Sequence, residues 1–359
     1  MRDITFAVGP VEMGERTLKV GGQQPPYFRT AAFSQQMQRA ETDFLALVGA
    51  PEGSRAVFLS CSGTGGMEAA VSGLLTTSDR ALVIEGGSFG KRFSELCAFH
   101  GIPYEPVTLA PGEPLTKERL ALAEGGRFSA LLVNLCETST GVLYDLDLLH
   151  RFCDRHGLFL IVDAVSALIA DELDMHACGA DAVITASQKA LAAAPGIAPL
   201  ALAPRALERV RRIAPKSYYL DLRHALSDGE RGQTPFTPSL SVLLQLFERL
   251  EALQNGGMQQ ERAAMHALAE DFRARIAAYP LAVATTALSN AVTPVRPTNG
   301  ASAYAIFETL MRDYGISVCP NGGELRDTLF RVGHMGALAK ADNDLLFQAL
   351  SDMQRRALL

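Results

Sequence analysis

Much of what this sequence lacks narrows its role. No apolar run approaches the roughly 20 residues that a membrane-spanning helix needs. The opening Met1-Arg-Asp-Ile-Thr-Phe has none of the apolar core of a secretory signal, so cytoplasm is the expected location. The six cysteines (61, 97, 136, 153, 178 and 319) form no Cys-x-x-Cys pair, and no histidine stands at metal-ligand spacing from them. Neither disulfides nor a metal site are therefore expected; several of these cysteines lie in apolar segments, where cysteine is a small buried hydrophobe. Basic residues are scattered and the net charge is −6, which argues against nucleic acid or an anionic membrane as partner. There is no internal repeat and no low-complexity tract.

What is present is an ordinary soluble composition, 48% hydrophobic and 20% charged over 359 residues, enough chain for about two domains and a sizeable core. The stretch from Gly157 to Lys189 organises the rest. Leu158-Phe-Leu-Ile-Val162 ends in one carboxylate, Asp163; a second apolar run, Ala182-Val-Ile-Thr-Ala186, is followed by Ser187-Gln188-Lys189. Two such runs read as neighbouring buried parallel strands, with Ala164 to Gly179 as a crossing that a helix would serve. Acid and amine then stand side by side on the edge where open α/β sheets bind ligands. Pyridoxal phosphate needs that pair, an amine for its aldehyde and an acid for its ring nitrogen. Taken singly, each residue has a plainer reading, Asp163 as a helix cap and Lys189 as a solvated surface lysine.

Further polar clusters follow further strands. Residues 1 to 30, with Gly9-Pro10, Gly21-Gly22 and Pro25-Pro26, read as an irregular arm. Phe33, Met37, Phe44 and Val48 mark a helix that Gly49 and Pro51 stop. Ala56-Val-Phe-Leu59 is a strand, Ser60-Cys-Ser-Gly-Thr-Gly-Gly66 a small-residue turn, and Met67-Glu-Ala-Ala-Val a helix start. That order gathers backbone N–H groups for an anion, or serves as plain punctuation. Ala81 to Ile84 runs into Glu85-Gly-Gly-Ser-Phe89-Gly90, a loop whose Phe89 either stacks on a flat ligand or covers a core edge. Ala130 to Asn134 leads to Cys136-Glu-Thr-Ser-Thr-Gly141. Repeated strand–helix alternation predicts an α/β fold with a mostly parallel sheet covered on both faces. Later come an extended loop, Gly232 to Pro238, and a long apolar helix, Leu240 to Leu253. Asn255-Gly-Gly257 is the best boundary, giving an N-terminal arm (1–20), a large domain (21–254) and a smaller α+β domain (255–359).

Thr64-Gly65, Phe89, Thr138, Asp163 and Gln188-Lys189 thus fall at the ends of successive strands. The words that carry them are Ser62-Gly-Thr-Gly-x-Met-Glu-Ala-Ala70, Phe89-Gly-Lys-Arg92, Glu137-Thr-Ser-Thr-Gly-Val142, Val162-Asp-Ala-Val165, Ser187-Gln-Lys-Ala-Leu191, Tyr219-Leu-Asp221 and Leu329-Phe-Arg-Val-Gly333. In that order, over nearly the whole chain, they resemble the class V pyridoxal-phosphate aminotransferases. The resemblance is nearest to the alanine–glyoxylate, serine–pyruvate and 2-aminoethylphosphonate–pyruvate transaminases. It implies the fold type I architecture, with Lys189 holding the cofactor as a Schiff base and then moving the substrate's α-proton. It implies that Asp163 pairs with the pyridinium nitrogen, Phe89 and Val165 pack on opposite ring faces, and Thr138 hydrogen-bonds the ring hydroxyl. Thr64, Gly65 and Gln188 would hold the phosphate. Thr237 would complete that site from the partner subunit of a homodimer with shared active sites. Arg331 would clamp the substrate carboxylate with its planar fork.

The reaction so implied moves an amino group from a small donor (alanine, serine or 2-aminoethylphosphonate) to a small 2-oxo acid (pyruvate or glyoxylate), since one arginine reads one carboxylate. Two departures leave side-chain specificity open. Ala7-Val-Gly-Pro10 replaces the Asn-Pro-Gly-Pro common in relatives, and Gln23 to Arg29 does not match them, so Tyr27 and Arg29 either face a second anionic group or pack the arm. A competing reading is a cysteine desulfurase or selenocysteine lyase, which needs a thiol on a mobile loop. Cys319 is the one cysteine near that region, but it follows a β-type run, and Gln188 stands where those enzymes usually carry histidine.

Overall fold

The computed structural model describes residues 3–359, so the first two residues of the arm lie outside the described range. Its centre is a seven-stranded sheet in the order Arg55–Leu59, Ala198–Leu202, Ala182–Ile184, Phe159–Asp163, Ala130–Asn134, Ala81–Glu85, Tyr104–Thr108. Every pairing from Ala182–Ile184 to Tyr104–Thr108 is parallel, and Ala198–Leu202 alone runs antiparallel to both its neighbours. Alternate residues of the inner strands face opposite ways. Leu82, Leu131, Leu160 and Val183 join one hydrophobic cluster, while Val83, Leu132, Ile161 and Ala182 join another. A sheet buried on both faces explains why these strands read as unbroken apolar runs.

The runs on either side of the crossing are neighbours, with Asp163 in register with Ile184. The crossing itself corrects the helical expectation: residues 164–181 form turns, and Ile169 adopts a left-handed φ of 72°. Partners distant in sequence fix this path. Arg262 Nε donates to Ile169 O (3.0 Å), and the Asp171 carboxylate accepts from Ser289 Oγ (2.5 Å) and Asn290 N (2.8 Å).

The arm is also more regular than its glycines and prolines suggest. Ile4–Thr5 is a short strand parallel to Ile316–Ser317, and Glu15–Gly21 is a helix. Seven residues without a side-chain cap form no stable helix alone. Here Thr17 Oγ1 donates to Glu248 Oε2 (2.7 Å), Gln245 Nε2 donates to Thr17 O (3.0 Å), and Arg16 pairs with Glu248 (3.2 Å).

Asn255 (φ 55°) and Gly256 (φ 90°) take left-handed conformations that separate the helices Leu240–Leu253 and Gly257–Ile276. Beyond them a four-stranded antiparallel sheet, ordered Leu281–Val283, Val292–Pro297, Phe330–Gly333, Cys319–Pro320, packs with helices Ala303–Tyr314 and Lys340–Arg355 around Phe272, Leu310, Val332 and Phe347. No helix among the described residues is long and apolar enough to cross a membrane.

Candidate active site

Asp163 closes its strand with a carboxylate that is only 5% exposed and accepts from Val165 N (2.8 Å). Burial disfavours its charged form and pushes the carboxyl up to about 6. Lys189 lies just past the neighbouring strand end, on a turn held by Ser187, whose Oγ donates to Ala194 O (2.7 Å) and accepts from Ile197 N (3.2 Å). The lysine is 7% exposed, and burial brings its amine down to about 8. A large neutral fraction near that pH makes it a nucleophile where a surface lysine is not.

The arm covers this lysine. A Cβ on Gly9 would stand 2.7 Å from Lys189 Cδ and 2.8 Å from Cε, and Gly9 has φ +130°. Only glycine allows so close an approach. Next to it, Val11 N donates to Gln188 O (3.2 Å).

Phe89 stands in the first turn of the helix Ser88–Phe99 rather than on a free loop. Its ring centroid lies 5.6 Å from Lys189 Nζ and 4.8 Å from Arg92 Cζ, and Arg92 Nη1 donates to Thr64 Oγ1 (3.2 Å). Thr64 and Gly65 belong to the first turn of the helix Gly63–Leu74, whose N-cap Ser62 makes no side-chain capping bond. The leading N–H groups have no intrahelical acceptor, so they are available to an anion. A Cβ on Gly65 would stand 2.7 Å from Cys61 Cβ, and one on Gly63 would stand 3.0 Å from Val165 Cγ2. The helix start is thus pressed against Val165 and the preceding strand end. Gln188 Oε1 is buried without a hydrogen-bond partner among the described residues.

Thr138 Oγ1 shares a 2.6 Å hydrogen bond with Ser166 Oγ. Arg331 reaches the same corner from the strand Phe330–Gly333 of the four-stranded sheet. It is 8% exposed, with Nη1 donating to Thr138 O (3.1 Å) and Nη2 to Pro320 O (2.5 Å). Its Nε is buried and unpartnered among the described residues. Cys319 is the cross-strand partner of Arg331, and its sulfur lies within electrostatic reach of both Arg331 and Lys189.

Thr64, Gly65, Phe89, Thr138, Asp163, Val165, Gln188, Lys189 and Arg331 therefore line one corner between the edge of the seven-stranded sheet and the four-stranded sheet. Thr237 is exposed on a loop tied to its own sheet, where Ser239 N donates to Ser60 Oγ (2.9 Å) and Tyr219 stacks on Phe236 (5.2 Å, 8°). Arg29 packs the arm, donating to Gln233 Oε1 (3.2 Å) and Thr234 O (2.9 Å), and Tyr27 is exposed. Sequence reasoning missed Gly9, Ser166 and Glu137. Gly9-Pro10 signalled a break and a segment that departs from relatives, but not a contact with Lys189, and Ser166 and Glu137 gave no sign of a role beyond their places beside Val165 and Thr138.

A family model described as aminotransferase class-V matches residues 26–324. The chain belongs to that family. Class V aminotransferases are pyridoxal-phosphate enzymes of fold type I, and the seven-stranded sheet with its small antiparallel companion has that shape. Aspartate aminotransferase of Thermus thermophilus superposes with a TM-score of 0.90 at 27% identity, covering 98% of this chain and 99% of that one. A 2-aminoethylphosphonate–pyruvate transaminase of Burkholderia thailandensis is 33% identical over 86% of this chain and 85% of its own. A protein of Synechococcus sp. named as the small subunit of a soluble hydrogenase is 32% identical over 94% of this chain and 88% of its own. In the class V chain described here, no group of three or more His, Cys, Asp or Glu side chains among the described residues is arranged to hold a metal ion.

Proposed function

We propose that this class V aminotransferase binds pyridoxal phosphate at Lys189 and moves an amino group from a small donor (alanine, serine or 2-aminoethylphosphonate) to pyruvate or glyoxylate. The observation that carries the reading is a buried amine of lowered pKa beside an aromatic ring, with a buried carboxylate at the neighbouring strand end. The side chains fit the group. Lys189 would meet the aldehyde, Asp163 the ring nitrogen, Phe89 and Val165 the two ring faces, and Thr138 the ring hydroxyl. The open N-terminus at Thr64-Gly65 and the orphan Gln188 Oε1 border the place for the phosphate. Thr237, exposed on its loop, suits a role in the site of a second copy, which would make the working form a homodimer.

When bound, the cofactor supplies an electron sink that acidifies the Cα–H of an attached amino acid. The chain does the rest. Asp163, as an anion, keeps a proton on the ring nitrogen through a charge-assisted hydrogen bond. Lys189 Nζ would be the base that takes the proton from the donor's Cα and holds it on its own nitrogen, a role suited to an amine near 8. Arg331 would orient the donor by its single anionic group, a carboxylate or a phosphonate, using the edge that carries the unpartnered Nε. One such arginine favours monocarboxylate or aminophosphonate donors. Because the Thermus relative is named for aspartate, aspartate belongs in the test.

Borohydride reduction of the loaded protein followed by peptide mapping should label Lys189. Single-turnover spectra with alanine, serine, 2-aminoethylphosphonate, aspartate and glutamate should show discharge by one of the first three. A label elsewhere would overturn the lysine's role, and discharge by dicarboxylates alone would overturn the donor class.

A further inference from the structure

Glu137 is fully buried (0% exposed) beside this site, and none of the steps above uses it. A carboxylate in that position is tolerated only when donors surround it. Glu137 Oε1 accepts from Phe89 N (3.3 Å), Ser139 N (3.2 Å) and Ser139 Oγ (2.5 Å), and Oε2 accepts from Gly90 N (2.9 Å) and Asn134 Nδ2 (3.0 Å). The donors come from two segments far apart in sequence. One is the first turn of the helix that carries Phe89; the other is the strand end and turn that carry Thr138.

The helix has no cap of its own, because its N-cap is Gly87, which has no side chain. Glu137 therefore caps it from across the site, where a negative charge is also favoured by the helix dipole. The approach is tight, since a Cβ on Gly87 would stand 2.7 Å from Glu137 Cδ. We infer that Glu137 is a positioning residue: by joining the Phe89 helix to the Thr138 turn, it fixes the stacking ring relative to the hydroxyl before any ligand arrives. The inference rests on the reading of this corner as a pyridoxal-phosphate site. A carboxylate is needed because all five partners are donors; an amide would turn one acceptor into a donor facing donors.

The test is the affinity of the apoprotein for pyridoxal phosphate, measured by equilibrium dialysis on wild type, Glu137→Gln, Phe89→Leu and the double variant. Glu137→Gln should weaken binding about 10- to 100-fold, the range for a lost hydrogen bond to a charged group. If Glu137 acts through Phe89, the double variant should bind nearly as well as Phe89→Leu alone. Wild-type affinity in Glu137→Gln, or losses that simply multiply in the double variant, would overturn the inference. Amide hydrogen exchange on the wild-type apoprotein needs no variant to fold. The Phe89 and Gly90 amides should already be protected, and free exchange that slows only after the cofactor is added would overturn the pre-positioning. If wild type itself takes up no pyridoxal phosphate, this inference and the proposed function fall together. If wild type binds and Glu137 proves neutral, only the inference falls.

Discussion

The wall of the site on the seven-stranded sheet and the wall on the C-terminal antiparallel sheet are finished to different degrees. On the first, Asp163 accepts from Val165 N, Thr138 bonds Ser166, and Glu137 is saturated with donors. These groups sit at the ends of strands whose apolar faces are locked into the sheet. On the second wall, Arg331 holds its two Nη atoms against backbone carbonyls, one of them at Thr138 far away in sequence, and leaves Nε unpartnered among the described residues. The arm joins the walls, since Phe6 O accepts from Gly333 N (2.7 Å) at one end and Gly9 presses on Lys189 at the other. A rigid sheet edge suits a cofactor that stays, whereas an arginine with spare donors suits a substrate that comes and goes. Substitutions on the first wall should therefore disturb cofactor and rate together, and those on the second should disturb substrate alone.

Lys189→Ala should give the largest effect. Turnover should fall by more than about 1,000-fold, because the proposed nucleophile and proton carrier vanish together. The protein should still bind the cofactor non-covalently, as absorbance after gel filtration would show. Wild-type turnover would remove Lys189 from the chemistry. The wild-type lysine also predicts a pH dependence. Loading requires the neutral amine, so the loading rate should rise with pH around a midpoint near 8, and a midpoint near 10 would mean that the amine is not buried.

Asp163→Ala should lower both cofactor affinity and rate, by about 100-fold. Asp163→Asn separates function from stability. The folded carboxyl titrates near 6 against 3.8 when unfolded, so between those values the folded state holds more protons. Stability contributed by this group therefore falls as pH rises through the window, and the cost is fully present above 6. A shift of that size corresponds to about 3 kcal/mol. The Asn apoprotein should thus be the more stable at pH 8, by about 1–3 kcal/mol, with the advantage shrinking toward pH 4, while binding cofactor worse. Denaturant melts of the two apoproteins at both pH values would measure it. Equal stability at pH 8 would mean that Asp163 carries no desolvation cost.

The same contrast explains what could be read from sequence. The first wall was legible because parallel strands put their loops on one edge, so residues following apolar runs had to meet. Asp163 and Lys189 needed only that two short runs be neighbours. The second wall and the supports behind the first depend on contacts that no local pattern announces. Gly9 meets Lys189 from the far end of the chain, and Glu137 meets Phe89 across 48 residues. The crossing at 164–181 misled for the same reason. Its small apolar residues suit a helix, but Arg262, Ser289 and Asn290 hold it in turns. The arm helix was hidden because Gln245 and Glu248, far along the chain, supply what its seven residues lack.

Arg331→Lys tests the second wall. A point charge cannot satisfy Thr138 O and Pro320 O and also grip a carboxylate side-on. KM for donor should rise on the order of 10- to 100-fold, with cofactor affinity unchanged by dialysis. A matching loss of cofactor affinity would show that the two walls are not separable.

Cys319→Ala should give the smallest effect and decides most sharply between chemistries. The thiol lies within electrostatic reach of Lys189 and Arg331, but it sits on a strand in register with Arg331 rather than on a free loop. A transaminase needs nothing from that sulfur but volume, so kcat/KM with a small donor should change by less than about 5-fold, as for removal of a small half-buried group. A desulfurase would use the thiol as its nucleophile, and the same substitution would abolish sulfide release from cysteine while leaving the cofactor bound. Measuring both reactions in wild type and variant keeps the outcomes apart. Sulfide release that vanishes in the variant, with no transamination in either protein, would replace the proposed reaction with sulfur transfer, although Lys189, Asp163 and Phe89 would keep their places around the same cofactor.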